Sequence, residues 1–255
     1  MMHKIAFNTA NLVARVTGYR FAMKDWGEQH RKTAEATDER AWRAICQEVA
    51  GASYTAIEVW EAHAPPERML GTGRAMVWRR IMTDAGLQPI GYAGELRPET
   101  ADVCLALGIP VINGRIHSSL NVESATDLCR STGVRFNLEN HPEKTAEELL
   151  HQIGGGNASL GVCIDTGWLG TQGVDAPDFV RAVGGLVRHV HVKDVMRPGH
   201  HETCPLSEGC VDLPAVFKAL KDVKYCGWYS WEDEPEARNP MQTAEANRTW
   251  IKRHL

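Results

Sequence analysis

The chain contains 255 residues, of which 43% are apolar and 24% are charged, and its formal net charge at pH 7 is −4. This length allows one large domain, and the absence of Gly/Ser-rich, Pro-rich or single-sign charged tracts argues against linkers and disordered segments. A slightly acidic protein has no electrostatic reason to bind nucleic acid, so the charge excludes a general nucleic-acid-binding role.

Short β-branched runs alternate with segments of helical periodicity along the chain. Eight strands are predicted, at residues 4–8, 55–60, 88–92, 110–115, 135–140, 160–165, 187–193 and 226–232. Eight helices are predicted between and after them, at residues 38–51, 66–86, 96–107, 122–132, 143–153, 176–184, 212–221 and 240–253. This alternation favours an α/β fold, a closed (β/α)8 TIM barrel forming a single domain over residues 1–255. An open doubly wound sheet is the alternative, but no Gly-x-Gly-x-x-Gly sequence follows the first strand.

Two connections are too long to be simple turns, namely residues 9–37 after the first strand and 194–211 after the seventh. Both leave the carboxyl end of a strand, where barrel enzymes keep their chemistry, so both are candidate lids. The first contains Tyr19, Phe21 and Trp26. These aromatic residues either stack on a bound ligand or pin the loop to the barrel, and the sequence favours neither role.

Polar residues close four consecutive predicted strands. Glu139 closes the fifth strand, Asp165 the sixth and Glu232 the eighth, and His191 lies near the end of the seventh. Taken singly, each is more simply a polar residue at a strand end. Because the parallel strands of a barrel all end at one face, we expect the four side chains to converge there.

Three converging carboxylates repel one another and raise one another's pKa values unless a cation lies among them. One divalent metal ion held by Glu139, Asp165, His191 and Glu232 is therefore the simplest explanation. Oxygen ligands with one imidazole suit Mn²⁺, which we expect first, and also Mg²⁺, Co²⁺ or Zn²⁺. The seven cysteines are scattered without a Cys-x-x-Cys pair, so neither a thiolate zinc site nor a disulfide framework is indicated.

Five segments, in this order, resemble the sugar phosphate isomerase/epimerase superfamily, the xylose isomerase-like TIM barrels that include ketose 3-epimerases, inositol-catabolism enzymes and endonuclease IV. The segments are Asn137 to Asn140 (NLEN), Gly161 to Gly167 (GVCIDTG), His189 to Asp194 (HVHVKD), Pro205 to Gly209 (PLSEG) and Tyr225 to Glu232 (YCGWYSWE). The resemblance covers nearly the whole chain and implies that the matching Glu, Asp, His and Glu hold the metal. It is specific for the superfamily and says little about the substrate.

One position departs from the superfamily pattern. Endonuclease IV and the ketose 3-epimerases usually carry a His three residues after the strand-six Asp, where this chain has Trp168. Tryptophan cannot ligate a metal, so a three-zinc centre is not expected. The contacts to a sugar must also differ from those of the epimerases, and Trp168 becomes a candidate substrate contact.

The other predicted substrate contacts lie near strand ends. Lys193 is expected either to bind a substrate oxygen or to pair with Asp194, and Glu58 either to bind substrate hydroxyls or to form an ion pair lining the barrel. His189 lies one pleat deeper than His191 and is expected to support it. Several loop histidines are candidates for substrate contact or for a supporting, solvated role, namely His63, His117, His141 and His201.

The four ligands and the resemblance predict a metal-dependent isomerase or epimerase acting on a ketose or related sugar. A metal that chelates adjacent carbonyl and hydroxyl oxygens acidifies the C–H bond between them, and Glu139 and Glu232 are placed to remove and return the proton through an enediolate. The first alternative is a lyase that expels a β leaving group from a 3-keto-glycoside or C-glycoside. A non-catalytic sugar-binding barrel is another, and an endonuclease IV-like nuclease is remote because the charge and Trp168 argue against it.

The expected partner is thus a small sugar or glycoside. The N-terminal residues lack the apolar core of a signal peptide, and no stretch approaches the roughly 18 apolar residues of a membrane span. We therefore expect a cytoplasmic protein with neither a membrane nor a nucleic-acid partner. The sequence leaves open the sugar, the physiological metal and the oligomeric state, a homo-oligomer included.

Overall fold

A computed structural model describes residues 4–255 of the chain. The strands within them are β1 (Ile5–Asn8), β2 (Ala56–Trp60), β3 (Gln88–Leu96), β4 (Val111–Ile116), β5 (Arg135–Glu139), β6 (Leu160–Asp165), β7 (Val187–Val192), β8 (Asp194–Val195), β9 (Thr203–Cys204) and β10 (Trp228–Trp231). Eight of them close into a parallel barrel in the order β1, β10, β7, β6, β5, β4, β3, β2, while β8 and β9 pair separately as an antiparallel hairpin. The predicted (β/α)8 barrel is confirmed, and each predicted strand lies within a few residues of an observed one.

Helices surround the barrel. They are α1 (Trp26–Ala36), α2 (Glu39–Gly51), α3 (Pro66–Met69), α4 (Arg74–Asp84), α5 (Pro98–Leu107), α6 (Val122–Thr132), α7 (Ala146–Gln152), α8 (Thr166–Gln172), α9 (Ala176–Val183), α10 (Leu213–Asp222) and α11 (Ala244–His254). Within residues 4–255, none of these helices has the length and apolar character needed to span a bilayer.

The structure corrects three of the helix predictions. The helix predicted at 66–86 is two helices, because Gly71 and Gly73 adopt left-handed backbone angles with φ of 68° and 71° between α3 and α4. Helix α1 lies in the first long connection and was missed because few of its residues are apolar. Charged side chains on the surface of α1 form ion pairs one helical turn apart, such as the pair of Lys32 with Glu28 at 2.7 Å.

Helix α8 is the third correction, and it follows β6 without a loop. Its two glycines hid it from the sequence pattern, yet both are required by close packing. A Cβ atom on Gly167 would lie 2.5 Å from Cγ of Lys193, and one on Gly170 would lie 2.6 Å from Cγ2 of Val211. The helix therefore packs directly against the end of β7 and the connection after it, which brings its first turn to the barrel mouth.

The aromatic residues of the first connection pin it to the barrel. Trp26 packs on Trp60 at the end of β2 with ring centroids 5.2 Å apart, and Phe21 packs on Trp26 at 6.0 Å. The Tyr19 hydroxyl donates a hydrogen bond to Oδ1 of Asn239 at 2.9 Å. The sequence left open whether these aromatic residues stack on a ligand or pin the connection to the barrel, and these contacts agree with the second role.

Candidate metal centre

The four predicted ligands converge at the carboxyl end of the barrel. Glu139 ends β5, Asp165 ends β6, His191 lies in β7, and Glu232 directly follows β10. These strands are neighbours in the barrel, and one ligand atom from each residue lies within 4.8 Å of the corresponding atoms of the others. Asp165, His191 and Glu232 are buried and Glu139 is partly exposed, so the group opens toward the barrel mouth on the side of Glu139.

Electrostatics favour the charged forms of Glu139, His191 and Glu232 in spite of their burial. Burial by itself would raise the pKa of Glu139, but His191 and His141 hold that pKa below its ordinary value. The pKa of Glu232 is lowered in the same way, against burial, by His191 and Lys193. Burial disfavours the His191 imidazolium, yet the acidic groups around it hold its pKa well above the ordinary value.

The donor chemistry fits one divalent ion. Three carboxylates and one imidazole are ligands suited to Mn²⁺, Mg²⁺, Co²⁺ or Zn²⁺. Nδ1 of His191 faces this group, since it contacts Oε1 of Glu139 and lies 3.4 Å from Oε2 of Glu232. An ion bound there would replace the Nδ1 proton of His191 and neutralise the carboxylates around it.

Asp165 is anchored from two directions. Its backbone N–H donates to Oδ1 of Asn140 at 2.8 Å, and its carbonyl accepts from Nδ2 of Asn140 at 3.0 Å. Its Oδ1 accepts the backbone N–H of Trp168 at 2.9 Å, which caps α8. The other oxygen, Oδ2, faces the mouth, 3.6 Å from Nε2 of His141.

Lys193 is buried among carboxylates. Its ammonium group lies 3.5 Å from both Asp165 and Glu232 and contacts Glu234, whereas the alternative pairing with Asp194 is wrong. Burial opposes the charge on Lys193, but Asp165 and Glu234 hold its pKa well above the ordinary value. Burial raises the pKa of Glu234 to about 8, although Lys193 acts in the opposite direction. The sequence motifs did not single out Glu234, because it follows the last strand and its partner is distant in the chain.

Asp194 has a structural role in the seventh connection. Its carboxylate accepts the backbone N–H groups of Ser207 at 3.0 Å, Gly209 at 3.1 Å and Val211 at 3.1 Å. A Cβ atom on Gly209 would lie 2.3 Å from Oδ1 of Asp194, so glycine is needed for this approach. Asp194 thereby ties the connection that carries His201 to the end of β7.

Three aromatic side chains, His141, Trp168 and His201, form an aromatic wall next to the predicted ligands. The ring of Trp168 lies 4.3 Å from that of His141 and 4.7 Å from that of His201, both in edge-to-face geometry. Nδ1 of His141 is 3.5 Å from Oε2 of Glu139, so one end of the aromatic wall lies next to the predicted ligands. It ends beside a cavity of about 570 Å³ bounded by residues 22–24, 199–203 and 235–238.

The structure does not bring His63 or His117 to the ligands. His63 is buried against Trp60, its Nδ1 is 3.1 Å from Oγ1 of Thr9, and burial lowers its pKa to about 3. His117 lies in the loop after β4, with Nδ1 2.8 Å from Oγ of Ser119.

Glu58 is placed inside the barrel, where its exposed fraction is 0%. Burial disfavours its charge, but His189 and His191 hold its pKa well below the ordinary value. Of its two predicted roles, the ion pair lining the barrel agrees with these contacts. Sequence reasoning also missed Asn8, whose Nδ2 donates to Oε1 of Glu232 at 2.6 Å. Its position at the end of the first strand was the only available signal.

Comparisons with known proteins agree with this architecture. A mannonate dehydratase of Oceanobacillus iheyensis is 38% identical over 72 residues, covering 26% of this chain and 21% of that protein. An inosose dehydratase of Clostridium beijerinckii is 29% identical over 108 residues, covering 34% and 36%. The chain thus spans little more than a third of these curated relatives at most. The solved structure of an L-ribulose 3-epimerase matches with a TM-score of 0.72 at 16% identity, over 100% of this chain and 95% of that one, which shows a shared fold.

The family is established by a longer match. A model described as xylose isomerase-like TIM barrel matches residues 99–254, which is more than half of the chain and includes all four predicted ligands. The chain therefore belongs to the xylose isomerase-like TIM barrel family.

Proposed function

We propose that the protein is a metal-dependent sugar isomerase or epimerase that moves a proton at the carbon next to a carbonyl group. The observation that carries the proposal is the convergence of Glu139, Asp165, His191 and Glu232, with ligand atoms within 4.8 Å of one another. These four residues would hold one divalent ion, with Mn²⁺ our first expectation. When bound, the ion would polarise the substrate carbonyl and stabilise negative charge on the substrate oxygens.

Glu139 and Glu232 are the proposed proton carriers. They come from β5 and the end of β10, and β6 and β7 lie between these strands in the barrel, so the two carboxylates approach the space above the ligands from different sides. Each has an oxygen in a distinct environment, because Oε2 of Glu139 faces His141 and Oε1 of Glu232 accepts from Asn8. One glutamate would remove the proton from one face of the substrate carbon, and the other would return a proton to the opposite face.

A lyase is the second candidate, favoured by the aromatic wall. Removal of the same proton from a substrate with a leaving group on the next carbon expels that group and forms a double bond. Trp168 and His201 lead from the ligands to the cavity of about 570 Å³, a volume typical of small-molecule pockets, where an aglycone or a second ring could lie. The dehydratase names of the two sequence relatives also support elimination.

One experiment tests both candidates. Purified protein should contain about one tightly held divalent ion per chain, because four convergent ligands serve one ion. Ketoses and 3-keto-glycosides are incubated with the metal-loaded protein in D2O and followed by mass spectrometry and NMR. Deuterium in a stereoisomer indicates epimerisation, and an unsaturated product indicates elimination. Protein without metal, or turnover that gives neither a deuterium-labelled stereoisomer nor an unsaturated product, would contradict the proposal.

The same preparation tests the remote nuclease alternative. DNA containing an abasic site should not be cleaved above a control with metal alone, because the net charge of −4 offers little attraction for phosphate groups. Efficient incision of this DNA would replace the sugar-directed proposal.

A further inference from the structure

A polar layer lies inside the barrel, one step deeper than the predicted ligands. It consists of Glu58 on β2, Asn113 on β4, Asn137 on β5 and His189 on β7, and each of these side chains is at most 2% exposed. Asn137 precedes the ligand Glu139 by two residues, and His189 precedes the ligand His191 by two, so both share the ligands' side of their strands. Buried polar groups of this kind need hydrogen-bond partners, and the four side chains bond to one another, although Oδ1 of Asn137 has no partner among the described residues.

The layer fixes the carboxylate of Glu58. Nδ2 of Asn137 donates to Oδ1 of Asn113 at 2.8 Å, and Nδ2 of Asn113 donates to Oε1 of Glu58 at 2.6 Å. His189 donates from Nε2 to Oε2 of Glu58 at 2.9 Å. Gly91 on β3 makes room for this pair, because a Cβ atom there would lie 3.0 Å from both Nδ2 of Asn113 and Oε1 of Glu58.

The remaining partner of Glu58 is the ligand His191. Nε2 of His191 lies 3.2 Å from Oε1 and 3.2 Å from Oε2 of Glu58. An ionised carboxylate only accepts hydrogen bonds, so Nε2 carries a hydrogen atom. Nδ1, on the other side of the ring, faces Glu139 and Glu232. The ring of His191 is thus contacted on both sides. Nε2 faces Glu58 in the barrel interior, and Nδ1 faces the predicted ligands Glu139 and Glu232.

We propose that Glu58 is a positioning residue for the metal, which holds the Nε2 hydrogen of His191 and thereby makes Nδ1 the metal-binding atom. This inference rests on the proposed function, because it presupposes that His191 is a ligand. It differs from the predicted contact of Glu58 with substrate hydroxyls, since both oxygens of this fully buried carboxylate are occupied by the barrel interior. A carboxylate bound to the far nitrogen of a ligand histidine orients the ring and makes it a stronger ligand.

The first test measures metal affinity in the absence of substrate. Glu58→Gln keeps the shape of the side chain and removes its charge. We expect it to bind Mn²⁺ about 10–100-fold more weakly than the wild type in a competition titration. Glu61→Gln is the matched control, because Glu61 also carries a largely buried carboxylate near the end of β2 but pairs with Arg97 instead of a ligand. Its Mn²⁺ affinity should equal that of the wild type. Equal affinity of the wild type and Glu58→Gln would overturn the inference.

A second measurement needs no variant, so it decides the question even if Glu58→Gln does not fold. The wild-type protein, labelled with ¹⁵N-histidine and loaded with Zn²⁺, should show His191 coordinated through Nδ1 and protonated at Nε2 in long-range ¹H–¹⁵N spectra. Coordination through Nε2 would overturn the role of Glu58 while leaving the metal site, and the proposed function, intact. A wild-type protein that binds neither Mn²⁺ nor Zn²⁺ would instead overturn the proposed function together with the inference.

Discussion

The two halves of the barrel contribute different kinds of polar residue, at the barrel mouth and in the layer below it. The half formed by β5, β6, β7 and β10 supplies all four predicted ligands, three of them carboxylates. The half formed by β1 to β4 supplies residues that hydrogen-bond to those ligands. Asn8 bonds to Glu232, and Glu58 bonds to His191. The family match, which begins at residue 99, covers the ligand half and leaves out β1 to β3.

This difference separates the groups that would act on a substrate from the groups that position them. A metal ligand must direct a free lone pair toward the barrel mouth. A positioning residue must instead form its hydrogen bonds with other side chains inside the barrel. Changes in the four predicted ligands should therefore affect turnover most. Changes in the residues that contact them, Lys193 included, should act through metal affinity or folding.

Removing either of the proposed proton carriers should have a large effect on turnover. Glu139→Gln and Glu232→Gln should each lower kcat by about 10²–10⁴-fold, because a positioned acid–base group contributes that much to the rate. Activity is measured at saturating Mn²⁺, and the bound metal is quantified so that loss of the ion is separated from loss of proton transfer. Glu208→Gln, which changes an exposed carboxylate in the seventh connection, serves as the control. Full activity of both variants with metal restored would remove the two glutamates from the mechanism.

Loss of the buried ammonium group should affect folding. Lys193→Met leaves Asp165, Glu232 and Glu234 close together without the cation that now lies among them. Breaking a buried ion pair costs about 3–5 kcal/mol, so we expect the free energy of unfolding of the metal-free protein to fall by about this amount. Urea unfolding measures the change, and Mn²⁺ should recover part of it. Lys218→Met, at an exposed pair with Asp222, should have little effect. Equal stabilities of the two variants would contradict the assignment.

The aromatic wall should contribute to substrate binding. Trp168→Ala should raise KM by about tenfold or more, because loss of an apolar contact in a pocket weakens binding by about 1–3 kcal/mol. Trp168→Phe keeps an aromatic ring next to His141 and His201 and should stay closer to the wild type. Steady-state kinetics on the substrate found in the D2O screen provide the comparison. An unchanged KM in Trp168→Ala would show that the wall only packs the seventh connection.

A further prediction concerns how stability depends on pH in the half formed by β1 to β4. His63 is neutral when folded, with a pKa of about 3, whereas its unfolded value is about 6.5. The folded protein therefore keeps the stability from neutral His63 above pH 6.5 and loses it as the pH falls toward 3, since only the unfolded chain takes up the proton. His63→Gln should reduce the pH slope of the unfolding free energy in this window by up to about 1.4 kcal/mol per pH unit. An unchanged slope in His63→Gln would contradict neutral burial.

The fold and the composition of the candidate site could be predicted from local patterns in the sequence. Alternating strand and helix patterns specify a parallel barrel, and parallel strands end at one face, so Glu139, Asp165, His191 and Glu232 had to converge. Helix α8 was not predicted, because Gly167 lowers the helix propensity of this segment. In the structure, glycine is needed at this position for close contact with Lys193.

The residues that support the predicted ligands could be identified only from the folded barrel. Glu58 and His191 are 133 residues apart and are hydrogen-bonded across the barrel. Asn8 and Glu232 are 224 residues apart and are hydrogen-bonded at the ends of the neighbouring strands β1 and β10. A strand-end glutamate or asparagine looks the same in the sequence whether it faces a substrate, a solvent molecule or a buried histidine. Its role depends on which partners barrel closure brings near and on whether water is excluded there, and neither is encoded in local periodicity.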